Sequence, residues 1–182
     1  MLSADLKLCL RSYSVADLTL LYAFHNPTIY FITHPCMVML IRNFKPVDIF
    51  SVMRIISETF LENYEPALLM DFHSSWNEGF IVAEENNDVV GFILGISPAP
   101  NQARILILGV EEKYRRRGVG AMLLNAFMNA CIIKGVRLIT LEVRTTNDAA
   151  IRFYGKFGFS IVHMIPDYYK DGENGYIMHK TI

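Results

Sequence analysis

Charged residues are scarce in this chain, and cysteines scarcer still. Lys, Arg, Asp and Glu make up 19% of its 182 residues and nearly cancel, leaving a formal charge of −1. A balance of that kind supplies no long-range field to draw in nucleic acid or an anionic bilayer, so any basic patch must act locally. Cys9, Cys36 and Cys131 include no C-x-x-C pair and have no histidines at finger spacing. That set excludes a disulfide framework and points to free thiols in a reducing compartment. His34 and Cys36, two apart, are too few to ligate a metal, and none is expected. No apolar run is long enough to span a bilayer: the longest, Tyr30 to Ile41, is broken by His34 and Pro35. The first thirty residues carry Asp5 and Asp17 and lack the charged-then-apolar order of a secretion signal. The expectation is a cytoplasmic protein with neither nucleic acid nor membrane as partner.

Apolar material, by contrast, is plentiful. At 52% hydrophobic residues the chain can fill one core, and its length suits one compact domain. Before residue 37 the apolar positions are scattered among Asn26, Pro27, His34 and Pro35, with a candidate helix from Val15 to Phe24. From Met37 onward the periodicity is regular. Met37 to Arg42 reads as a strand, and Pro46 opens a helix with Ile49, Val52, Ile56 and Phe60 on one face. Leu68 to Trp76 suits a shorter helix. Gly79 to Ala83 and Val89 to Ile96 are strands joined by an asparagine-rich turn, and Arg104 to Val110 is a third. A helix follows, with Val119, Met122, Leu123, Ala126, Phe127 and Ala130 on one face, closed by Lys134 and Gly135. Leu138 to Val143 is a strand. Asn147 caps a helix running through Phe157, and two last strands cover Ser160 to Met164 and Tyr176 to His179. The order β-α-α-β-β-β-α-β-α-β-β predicts a mixed α/β (α+β) domain over 37–182 with its sheet covered on both sides.

YRRRGVGAMLL, residues 114 to 124, lies where a strand ends and a helix begins. A helix start exposes unpaired N–H groups and the positive end of the dipole, so an anion docked there gains hydrogen bonds and field together. The amides of Val119, Gly120 and Ala121 are the candidate donors. Gly118 and Gly120 leave the backbone open to approach, and Arg115, Arg116 and Arg117 can add charge-assisted hydrogen bonds. A solvated charge run ahead of an ordinary helix is the competing reading. Two glycines in one first turn, each costing about 0.5 to 1 kcal/mol relative to alanine, favour a phosphate ligand. The nucleotide P-loop is excluded, because Ala121 and Met122 follow Gly120 where Lys and Ser or Thr belong. The dinucleotide fingerprint fits poorly, since Leu123 replaces its third glycine and Glu111 to Arg117 lengthens the turn.

Arg115, Gly118 and Gly120 instead form R-x-x-G-x-G at a helix head, which resembles the pyrophosphate loop of the GNAT acetyltransferases. The resemblance extends over Met37 to Ile182. Leu141-Glu142-Val143-Arg144-x-x-Asn147, then Ala149 to Tyr154 and Gly155 to Phe159, is similar to the second half of the protein N-terminal (α-amino) acetyltransferases of archaeal and bacterial type. Tyr168-Tyr169-x-Asp171-Gly172-Glu173 is similar to the tail those enzymes carry, and Leu61-Glu62-Asn63-Tyr64 to their peptide-binding loop. The resemblance implies the GNAT fold, a mixed sheet of about six to seven strands flanked by about four helices. It implies acetyl-CoA as cosubstrate, with Leu108-Gly109-Val110 pairing its main chain with the pantetheine arm. It implies protein or peptide N-termini as substrate, faced by Glu62, Tyr64, Tyr168 and Tyr169. Relatives act alone or beside an auxiliary subunit, and nothing in this sequence chooses between these or speaks to ribosome association. Residues 1 to 36 have no counterpart; they are either an extra element on the core or the product of an early start codon ahead of Met37 or Met39.

Acetyl transfer to an amine needs the amine neutral, the thioester carbonyl polarised and a proton supplied to the departing thiolate. An α-amino group, with a pKa of about 7.7 to 8.0, is already partly neutral near pH 7, whereas a lysine at about 10.4 is not. Glu142, at a strand end, is the candidate base through a water, and Tyr154 the candidate to hydrogen-bond the thioester sulfur and protonate it as it leaves. Asn147 can both cap its helix and contact the pantetheine arm, and the Val110 N–H can polarise the carbonyl. Each also has a plain structural reading: surface charge, core filler, cap. Arg104 stands where many relatives have Tyr or His. It cannot be a base, so either Glu142 carries more of the work or Arg104 orients a carboxylate such as Glu142 or Glu62. Two other functions stay open: a GNAT enzyme for a small amine, and a non-catalytic acyl-CoA-binding module.

Overall fold

The computed structural model describes residues 29–34, 37–60 and 64–182. Cys9, Cys36, Glu62 and the candidate helix Val15 to Phe24 lie outside the described residues. Among those described, the elements run β1 (Ile29–His34), β2 (Met37–Asn43), α1 (Ile49–Thr59), α2 (Pro66–Ser75), β3 (Phe80–Glu85), β4 (Asp88–Ala99), β5 (Gln102–Val110), α3 (Val119–Lys134), β6 (Leu138–Arg144), α4 (Asp148–Lys156), β7 (Ser160–Ile165) and β8 (Gly175–Thr181). All the strands join one sheet in the order β1-β2-β3-β4-β5-β6-β8-β7. Only β5 and β6 are parallel among the described neighbours.

The elements expected from Met37 onward are present, with ends shifted by a few residues. β1 is an addition. The break at His34 and Pro35 that argues against a membrane span is where one strand gives way to the next, with Ile29 paired to Ile41 and Tyr30 to Leu40. The sheet therefore crosses the boundary expected at residue 37. Asn86 and Asn87, with φ of 52° and 67°, make the two-residue turn between β3 and β4, a backbone asparagine tolerates better than most residues.

Strict alternation sorts the sheet into two cores. Ile81, Ala83, Ile93, Ile139 and Leu141 pack under Leu123, Phe127 and Cys131 of α3, while Phe80, Val82, Phe92 and Leu94 pack under Val52, Ile55 and Ile56 of α1 and Leu69 of α2. The central strands are buried on both faces, which is why they read as continuous apolar runs. Cys131 lies in this core, and burial pushes its thiol up to about 12, so it is an inert filler. Opposite α3, Arg42 of β2 bridges Asp48, in the turn opening α1, at 2.7 Å and Glu84 of β3 at 2.6 Å. Burial alone would raise the Asp48 pKa; the Arg42 guanidinium and the Lys45 amide outweigh it and hold the carboxyl below its usual range.

One irregularity positions the site. Leu94 pairs with Ile107 and Gly95 with Ile105, so Leu106 is an extra residue, a β-bulge in β5. Its effect appears in the packing: Ala103 and Ile105 belong to the α3 core, Ile107 to the α1 core, and Leu108 and Val110 turn back toward α3. The parallel ladder between β5 and β6 stops at the same place, its last pair being Ile105 with Leu141. Beyond it the two strands separate.

Candidate active site

The split between β5 and β6 opens into a cleft of about 420 Å³. Leu106, Ile107 and Leu108 line one side and Leu141, Glu142, Val143 and Arg144 the other. Glu111 N donates to Val90 O at 2.9 Å, which fixes the phase of the antiparallel ladder between β4 and β5. Alternate residues bond to β4, so Leu108 presents its main-chain N–H and C=O, and Val110 its N–H, to the edge that β6 has left, while the Val110 C=O accepts from Arg115. An amide-bearing chain laid in the split finds a strand edge ready to pair.

Past the end of β5 the chain turns into the head of α3. Gly118 is its N-cap in the left-handed region, φ 83°, and contributes no side-chain cap. A Cβ on Gly120 would lie 3.6 Å from Phe153, an ordinary contact, so the protein's own packing does not demand glycine there. The uncapped amides of Val119, Gly120 and Ala121 and the open space above them fit a diphosphate. The three arginines are not gathered into one clamp. Arg115 Nε donates back to Val110 O at 2.9 Å, and its Nη2 reaches Thr59 at 3.3 Å. Arg117 lies over the Tyr114 ring, and Arg116 takes a positive φ of 61°. Arg115 thus braces the loop to the end of β5, leaving the main chain to present the donors.

Glu142, Arg104, Tyr154 and Asn147 converge on the middle of the cleft. Arg104 Nε lies 2.9 Å from Glu142 Oε2, the second of the two arrangements the sequence leaves open, and Arg104 Nη2 donates to the Tyr168 hydroxyl at 3.0 Å. Asn147 Oδ1 accepts from Ala150 N at 3.0 Å, so the cap is real, and the same side chain lines the cleft. Tyr154 is packed between Phe153 and Phe159, and burial raises its phenol well above the usual range. It stays protonated at any working pH and so keeps an O–H to donate.

Tyr64, Phe60, Leu68 and Phe72 close the cleft from the α1–α2 side, and Tyr168 and Tyr169 from the tail between β7 and β8. Arg144, which sequence reasoning did not single out, organises that tail. Its guanidinium stacks on Tyr169 at 4.0 Å and bonds Asp171 and Glu173, each at 2.7 Å. The signal was available, because Arg144 is two residues past Glu142 and so on the same face. The Leu106 bulge carries no such mark. Among the described residues no cluster of His, Cys, Asp and Glu could hold a metal ion, and no helix is long and apolar enough to cross a membrane.

A profile of the acetyltransferase (GNAT) family matches residues 49–159. An N-alpha-acetyltransferase of Sulfurisphaera tokodaii is 32% identical over 150 residues, covering 76% of this chain and 90% of that one. Among solved structures, Ard1 from Thermoplasma volcanium superposes with a TM-score of 0.77 at 45% identity, covering 79% of this chain and 97% of its own. Naa50 of Arabidopsis thaliana, solved with the bisubstrate analogue CoA-Ac-MVNAL, gives 0.72 at 26% identity, covering 79% and 99%.

Proposed function

Because the chain belongs to the GNAT family of acetyltransferases, we propose that it is an acetyl-CoA-dependent N-alpha-acetyltransferase acting on the α-amino group of protein or peptide N-termini. The observation that carries this reading is a single cleft. Glu142, Tyr154 and Asn147 line it together with Tyr64, Tyr168 and Tyr169, and Leu108, on its wall, belongs to the strand that leads into the head of α3. The relatives named N-alpha-acetyltransferase, and the Naa50 structure with its bisubstrate analogue, favour a peptide over a small amine.

Acetyl-CoA, when bound, supplies an activated acetyl thioester. The Val119, Gly120 and Ala121 amides hold its diphosphate, and the main chain of Leu108 and Val110 pairs with its amide-bearing arm. The Val110 N–H polarises the carbonyl. Glu142 takes the amine proton through a water as the N–C bond forms, a modest task because an α-amine is already partly neutral near pH 7. Tyr154 donates a hydrogen bond to the sulfur as the C–S bond breaks. With its pKa raised above that of a thiol, full proton transfer from Tyr154 is uphill, so the phenol stabilises the thiolate and solvent supplies the proton. Tyr64, Tyr168 and Tyr169 flank the terminus, and residues 37–182 carry the acetyltransferase domain, with β1 added at the edge of its sheet.

Labelled acetyl-CoA incubated with two peptides tests the reading, one with a free terminus and an internal lysine, the other blocked. Transfer to the free terminus alone is expected. Transfer only to lysine or to small amines overturns the proposal.

A further inference from the structure

Arg104 of β5 bonds to β6 and to the tail at once. Its Nε and Nη2 both lie 2.9 Å from Oε2 of Glu142, and Nη2 also donates to the Tyr168 hydroxyl at 3.0 Å. These contacts sit one residue from Ile105, where the ladder to β6 ends. Past that point the main chain no longer sets the distance between the two strands, and a carboxylate on β6 needs a side-chain tie to hold its direction. The Glu142 side chain is 16% exposed, against 37% for Arg104, so the Glu142 end of the tie lies at the inner wall of the cleft while the Tyr168 end faces solvent. Both bonds fall on Oε2; Oε1 accepts no hydrogen bond among the described residues. The other end of the tie is equally built. A Cβ on Gly175 would lie 3.0 Å from Tyr168 Cδ1, so glycine at the start of β8 leaves room for the Tyr168 ring that carries this hydroxyl.

Resting on the acetyl-transfer reading above, we propose that Arg104 is a positioning residue. It holds Oε2 of Glu142 so that Oε1 is presented to the water that relays the amine proton, and it latches Tyr168 so that the peptide-side wall is set together with the base. A permanently charged guanidinium exchanges no proton itself and acts only through these two partners. A planar fork reaches both; a lysine ammonium, a point charge on a flexible stem, cannot hold them in one geometry.

The test uses the full chain and the variants Arg104→Met, Arg104→Lys, Tyr168→Phe, Glu142→Gln and the double variant Arg104→Met with Glu142→Gln. Arg104→Met should lower kcat by about 100-fold, the cost of a misdirected base. It should raise the peptide KM by about fivefold, the loss of one hydrogen bond, and leave the acetyl-CoA KM unchanged. Tyr168→Phe should reproduce the KM effect without the kcat effect. The double variant should be no slower than Glu142→Gln alone, because the two residues act as a unit. Apart from turnover, both Arg104 variants and Tyr168→Phe should speed amide hydrogen exchange over residues 166–174 and weaken calorimetric binding of the peptide to the CoA complex. Arg104→Lys keeps the charge and the fold yet should still lose the latch. Wild-type kinetics and exchange in Arg104→Met, or simple additivity in the double variant, overturn the proposal. A wild-type enzyme inactive on free N-termini removes instead the reading on which it rests.

Discussion

Replacing Gly120 with glutamate separates what α3 needs as a helix from what it does as a ligand site. Gly120 occupies the second helical position, after Val119, and its missing Cβ faces Phe153 no closer than 3.6 Å, so a side chain can enter without collision. Exchanging glycine for a good helix former gains about 0.5 to 1 kcal/mol. A carboxylate in the first turn adds about 0.3 to 1 kcal/mol by facing the positive end of the dipole. The ligand-free protein should therefore be stabilised by about 1 to 2 kcal/mol, which for a chain this size raises Tm by about 2 to 8 °C. Coenzyme affinity must move the other way. The glutamate competes for the same amides and repels the diphosphate. Losing one charge-assisted hydrogen bond, worth about 1.5 to 3 kcal/mol, already weakens binding by about 10- to 100-fold. Scanning calorimetry with and without CoA, together with titration calorimetry, reads both effects on one sample. Gly120→Ala is the control: it should gain most of the stability and lose less affinity than the glutamate, since its methyl crowds the diphosphate but carries no charge to repel it or to compete for the amides. A Gly120→Glu protein that melts higher and binds CoA as well as the wild type would refute the assignment of the diphosphate to this helix head.

Three further outcomes follow from the geometry. Tyr154→Phe should lower kcat by about 10- to 100-fold with peptide and acetyl-CoA KM unchanged, since its hydrogen bond strengthens only as charge builds on sulfur; an unchanged kcat contradicts that role. Glu142→Gln should lose about 100-fold in kcat near pH 7 and recover part of it above about pH 8, where the α-amine is neutral without help; a pH-independent deficit would make Glu142 structural. Asp48, whose folded pKa lies below the ordinary 3.8, contributes stability that is complete above that value and drains away as pH falls through its lower folded value. Arg42→Met should abolish that acid-side slope and, by leaving the Asp48 charge buried without its partner, cost about 3 to 5 kcal/mol at neutral pH, measured by urea unfolding between pH 2 and 7.

The fold was legible where periodicity alone decided it. The continuous apolar run Phe80 to Ala83 and the three-and-four spacing of Ile49, Val52, Ile56 and Phe60 carried the strands and helices, because burial of these faces is what selects the elements. Local chemistry marked the ends, as with Gly135 in its left-handed cap, φ 80°, and Asn147 accepting from Ala150. What failed was non-local. β1 looked like half of a broken apolar run because its partner, β2, lies beyond the break. The Leu106 bulge arises from register between β4 and β5, which no window of one strand contains. In the site, the residue types pointed to the chemistry, and Arg104 was already ambiguous between basicity and orientation. Its bond to Tyr168, sixty-four positions away, required the tail's path across β6.

The most direct test is a crystal structure of the full chain with coenzyme A and a peptide bearing a free terminus. The account predicts diphosphate oxygens within hydrogen-bond reach of the Val119, Gly120 and Ala121 amides, the arm along Leu108 and Val110, and sulfur and terminal nitrogen meeting between Tyr154 and Glu142. Coenzyme held elsewhere, or a peptide terminus away from Tyr64 and Tyr168, would contradict it.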